Sequence, residues 1–111
     1  MLGRYIITNH AMQRYEQRTN KVKQSTKSRI IRDLKALRNK RIVTIGRTKY
    51  IFYTQPNGTI REFVVEQGTK NPNNFYVTTV ISRNHEESEV AYKKRLRQKK
   101  EYELQLKGEI K

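Results

Sequence analysis

The chain has 111 residues, 34% hydrophobic and 32% charged, with 25 Lys and Arg against 10 Asp and Glu and a formal net charge of +15. That size and apolar content suit one small domain with a thin core. No Cys is present, which excludes disulfides, thiolate chemistry and zinc–cysteine sites, and no apolar run approaches the length needed to cross a bilayer, so a soluble cytoplasmic protein is expected.

The elements follow one another plainly. Tyr5-Ile6-Ile7-Thr8 reads as a short strand or extended lead-in, and Thr8 or Asn9 can cap a helix running to about Arg18 or Thr19. A second helix, capped by Ser25, Thr26 or Ser28, places Ile30, Ile31, Leu34 and Leu37 on one face and Lys27, Arg32, Lys35 and Arg38 on the other. The period then changes to that of strands: Arg41–Ile45, Thr48–Thr54, Ile60–Glu66 and Phe75–Ser82. Gly46, the Gln55-Pro56-Asn57-Gly58 turn and the Asn71-Pro72-Asn73-Asn74 turn separate them, and such short links favour an antiparallel meander. One sheet face is expected to hold Phe63, Val65, Phe75, Val77 and Ile81. The other, holding Glu62, Val64, Glu66, Tyr76, Thr78, Val80 and Ser82, should be open and partly polar.

Residues 86–111 form a charged stretch of helix-forming composition whose apolar stripe is too weak to require burial. A docked helix, a projecting helix and a partner-binding arm all remain open. The expected architecture is α+β, with two N-terminal helices packed on a four-stranded antiparallel sheet, plus a charged C-terminal helix. The domain division is 1–85 and 86–111.

The positive charge is concentrated early. Residues 1–50 carry 14 Lys and Arg against two acids, Glu16 and Asp33. Such a field attracts polyanions, with nucleic acid as the first partner to consider and an acidic protein as another. Lys21, Lys23, Lys27, Arg32, Lys35, Arg38, Lys40 and Arg41, with Tyr76 and Arg83 later in the chain, are the candidate contacts to an RNA or DNA phosphate backbone. A second basic run, Lys93, Lys94, Arg95, Arg97, Lys99 and Lys100, is either a solvated helix face or another grip on nucleic acid.

In the stretch TNHAMQRYEQR, His10, Arg14 and Arg18 lie four residues apart and share one helix face. An imidazole that takes a proton, beside two guanidiniums that hold a phosphate, suits RNA cleavage by attack of the 2′-hydroxyl. That reaction requires no metal and no nucleophilic side chain. Solvated basic helix faces show the same spacing. No metal-binding cluster, glycine-rich phosphate loop or nucleophile elbow is evident, and no cofactor is expected.

The pattern His10-Ala11-x-x-Arg14-x-x-x-Arg18 after Ile6-Ile7-Thr8, with Phe75–Ser82 as a last core strand, resembles small bacterial and phage proteins. These are the RelE/BrnT-type toxins of the barnase–EndoU–colicin–RelE ribonuclease fold. The resemblance covers about residues 4–84. It implies one or two helices before a curved antiparallel sheet and an active face on the open side of that sheet. His10, Arg14 and Arg18 would act there, joined on the last strand by Thr78, Ser82 and Arg83, with His85 as a further acid or base. It also implies a toxin-like, metal-independent ribonuclease with an acidic antitoxin. The alternative is a non-catalytic basic protein of phage or mobile-element type that binds nucleic acid or inhibits a host protein.

Overall fold

The computed structural model of the chain describes residues 4–13, 23–36 and 38–110, with the side chains of all but 23–27 and 109–110. Its elements are β1 (Arg4–Ile7), α1 (Lys23–Lys35), β2 (Lys40–Ile45), β3 (Thr48–Thr54), β4 (Ile60–Gln67), β5 (Asn74–Arg83) and α2 (His85–Ile110). Residues 9–13 are also helical, and the rest of the helix expected up to Arg18 or Thr19 lies outside the described residues. α1 begins two residues ahead of the expected cap at Ser25, a difference of the size by which helix ends fray. The fold is α+β, and no described helix is long and apolar enough to cross a membrane.

All five strands form one sheet in the order β1-β5-β4-β3-β2. The antiparallel meander from β2 to β5 is as expected, but the sheet is mixed and five-stranded rather than four-stranded and antiparallel. The difference is β1, which lies parallel to β5 with Ile7 opposite Val77. The amides of Arg4 and Thr8 donate to the carbonyls of Asn73 and Val77 and satisfy the otherwise free edge of β5. Local periodicity could not select a partner some 70 residues away.

Two turns fix the meander's register. Gly46 opens the two-residue β2–β3 turn with φ +59° while Arg47 keeps negative φ, the arrangement of a II′ hairpin turn. The β3–β4 turn places Gly58 at φ +89°, and its amide donates to the Gln55 carbonyl at 2.9 Å.

Alternation along the strands divides the interior in two. Ile51, Phe63, Val65, Val77 and Val80 pack with Ile7, Ala11, Ile30 and Leu34 in the main core, under α1 and the helical segment. On the opposite face Phe52 and Ile60 meet Ala91 of α2, flanked by Tyr50 and Tyr92. The expected faces of β5 are corrected beyond Val77. A bulge pairs Val64 with Thr79 and Val65 with Val77, leaving Thr78 as the extra residue. Val80 and Ser82 therefore share the core-side face with Phe63 and Arg61, whereas Ile81 and Arg83 share the α2-side face with Glu62 and Ile60.

The sheet face expected to be open is covered by α2 in part, with β2 as the helix's main neighbour. A reciprocal capping box starts the helix. The Glu87 amide donates to Asn84 Oδ1 at 2.8 Å, and the Asn84 amide donates to Glu87 Oε1 at 3.0 Å. Ser88, Ala91, Tyr92 and Arg95 then face the sheet at helical spacing. The end of the contact is marked by Gly46, where a Cβ would stand 3.0 Å from the Tyr102 hydroxyl oxygen. Residues 103–108 are exposed.

Candidate nucleic-acid interface

The sequence-predicted site residues fall into three groups. Arg14, Arg18 and Lys21 lie outside the described residues, and Lys23 and Lys27 belong to α1 without described side chains. A second group faces water. His10 is exposed in the first turn of the helical segment. That turn is anchored by Thr8, whose hydroxyl donates to the Val77 carbonyl at 2.9 Å and accepts from the Ala11 amide at 3.2 Å. Arg32, Lys35 and Arg38 are exposed on and just after α1, because Ile30 and Leu34 turn the opposite side of that helix into the core. Among the described residues the acid paired with Arg32 is the buried Asp33, at 3.8 Å, a separation worth little at a side chain 69% exposed. Tyr76 is 37% exposed on β5.

The third group is engaged in contacts within the molecule, Arg41 while still exposed to water. Lys40 donates from Nζ to the Leu34 carbonyl at 2.7 Å and so closes the C-terminus of α1. Its burial holds the ammonium pKa below the usual lysine value. Arg41 grips Glu89 of α2 through both terminal nitrogens, at 2.9 and 3.5 Å, and its guanidinium lies 4.0 Å from the centre of the Tyr92 ring. Arg41 in turn lowers the pKa of the Glu89 carboxyl by hydrogen bonding. Ser82 accepts from Arg61 Nη1 at 3.2 Å on the core-side face.

Arg83 belongs to the most buried polar cluster described. Glu62, fully buried on β4, accepts from Arg83 Nε and Nη2 on Oε1, at 3.1 and 3.0 Å, and from Arg95 Nε on Oε2 at 3.0 Å. The Arg95 guanidinium also lies 3.9 Å from the centre of the Tyr50 ring and donates to Gln98 Oε1. A carboxylate removed from water requires this much compensation. An open groove of about 460 Å³ runs beside the cluster, where Lys94 adds positive charge and Glu86 and Glu87 offset it.

Ser82 and Arg83 thus point to opposite faces of the sheet, one to Arg61 and the other to Glu62. His10 follows Thr8 at the β1 edge, next to the core residue Ala11. Among the described residues no group of three or more His, Asp or Glu is placed to hold a metal ion.

The Glu62 cluster escaped the sequence reading. Its one visible signal was a carboxylate between Ile60 and the apolar run Phe63-Val64-Val65, where a charge turned inward calls for a partner. The capping box was legible as Asn84-x-x-Glu87. Comparison of the chain with protein-family models, with curated proteins and with solved structures finds no match.

Proposed function

We propose that this protein binds nucleic acid, RNA foremost, by gripping the phosphate backbone without reading base sequence. The observation that carries this reading is the distribution of the few acids. Glu62 serves Arg83 and Arg95, Glu89 serves Arg41, Glu87 closes the α2 cap and Asp33 is buried. These four of the ten acids are therefore committed to holding the fold, while Glu66, Glu86, Glu101 and Glu103 stay exposed. Arg32, Lys35 and Arg38 face water, within a net charge of +15. Exposed cations of this kind displace counterions from a phosphate chain, which makes the binding steeply dependent on salt. An acidic antitoxin or host protein that covered the same cations would compete with RNA for them.

Metal-independent RNA cleavage is the second reading, and the exposure of His10 in a helical first turn favours it. A gel of the purified protein with mixed RNA, with and without EDTA and alongside His10→Ala, separates the two. Intact RNA shifted on the gel by both proteins is the result expected for binding. Cleavage that survives EDTA and is lost in His10→Ala would put the ribonuclease in its place. Intact, unshifted RNA would refute both.

A further inference from the structure

The sheet carries a helix on each face, and each helix turns cations away from it. On the first face these are Arg32, Lys35 and Arg38, in and just after α1. On the second, α2 lies with Ser88, Ala91, Tyr92 and Arg95 against the sheet. Lys93, Arg97 and Lys100, spaced i, i+4 and i+7, occupy the opposite side of that helix and are exposed. They span about 10 Å of helix axis, at 1.5 Å per residue. Glu89, one turn before Lys93, is held by Arg41, and the exposed Glu86, Glu101 and Glu103 flank the stripe. Between Lys93 and Lys100 no acid interrupts it.

We infer that the protein holds two nucleic-acid segments at once, one on the α1 face and one on the α2 face, and so bridges them. This rests on the phosphate-binding reading above and goes beyond it, since a one-sided binder coats a strand but does not join two. The fold supports bridging in two ways. The helices sit on opposite faces of one sheet, so phosphates bound at one stripe leave the other open. The shortest extent of the molecule is 24 Å, about three Debye lengths at physiological salt, so two bound strands repel each other little across it. The internal acids have a further part here. Glu62 and Glu89 pair with Arg95 and Arg41 where α2 meets the sheet, so the helix can carry an outward cationic stripe and still dock.

The test uses the full chain, a biotinylated RNA on beads and a second, fluorescent RNA with no complementarity to the first. With the protein at a concentration that saturates the immobilised RNA, the beads are expected to retain the fluorescent RNA. The triple variant Lys93→Gln, Arg97→Gln, Lys100→Gln is expected to lower that retention at least tenfold per protein bound, and the triple variant Arg32→Gln, Lys35→Gln, Arg38→Gln to do the same. All six positions are exposed, and circular dichroism checks that both variants fold. Saturated beads that retain no fluorescent RNA would overturn bridging and leave the binding reading standing. Beads that bind no protein would overturn both. Either variant bridging as well as the parent would overturn the two-face assignment. So would a dimer of the RNA-free protein in sedimentation equilibrium, since two one-sided copies would then account for the capture.

Discussion

The Nε of Arg95 donates to Oε2 of Glu62 at 3.0 Å, and this bond joins the C-terminal helix to β4. Glu62 is fully buried and Arg83 holds its other oxygen. Among the described residues Ala91 and Tyr92 alone bring α2 into an apolar cluster, so the ionic contact carries much of its docking. Glu62→Ala strands two guanidiniums and is expected to cost about 3 kcal/mol, the low end for breaking a buried pair, because Arg83 and Arg95 keep 24% and 18% exposure. Urea denaturation measures the loss, and hydrogen exchange should rise first in α2. A cost under about 1 kcal/mol would show that the helix docks without it.

Ser88 makes the opposite case. Its Oγ is buried under α2 and finds no hydrogen-bond partner among the described residues. A buried hydroxyl left unsatisfied costs about 1–3 kcal/mol, and Ala is the better helix former. Ser88→Ala is therefore expected to raise stability by about 1 kcal/mol. A drop on the same denaturation curve would mean that the hydroxyl is bonded.

Acid should loosen the attachment at the β2 side. Hydrogen bonding to Arg41 lowers the pKa of Glu89 in the folded protein. Between the folded and unfolded values the unfolded chain binds more protons, so stability rises with pH there and is lost as pH falls through the folded value. The effect is small because the carboxylate is solvated. Glu89→Gln should flatten this part of the stability–pH curve below the ordinary carboxylate range, and an unchanged curve would remove Glu89 from the account.

Salt dependence reports the phosphate contacts directly. Each contact to a single strand contributes about 0.7 to the slope of log affinity against log salt. Replacing Arg32, Lys35 and Arg38 by Gln should make that slope shallower by about 2, measured by fluorescence anisotropy with a labelled RNA. The same slope in parent and variant would place the contacts elsewhere.

Gly46 tests the end of the helix contact. Its positive φ strains any L side chain, and a Cβ would meet the Tyr102 hydroxyl at 3.0 Å. Gly46→Ala is expected to destabilise by about 1–2 kcal/mol. Combining it with Tyr102→Ala should return part of that loss by removing the close contact but not the backbone strain. A double variant no better than Gly46→Ala alone would show that the turn conformation carries the whole cost.

Much of the architecture was present in local pattern. The apolar period of Ile30, Ile31 and Leu34 marks α1, the turns at Gly46 and Gly58 set the hairpins, and the basic excess points to a polyanion. These features depend on neighbours within a few residues or on composition, both of which a single chain displays. Three others depend on contacts across the fold. β1 pairs with β5 along an edge that no local period specifies. The bulge at Thr78 reverses the facing of Val80 through Arg83, so Ser82 turns to the core side and Arg83 to the α2 side. The partners of Arg41, Arg83 and Arg95 determine which cations are already paired within the fold. By itself the sequence determined that the protein is strongly basic, α+β and built on a meander. Only the tertiary structure decided which charges are left unpaired, because a guanidinium is freely available to a phosphate only where no carboxylate of the fold already holds it.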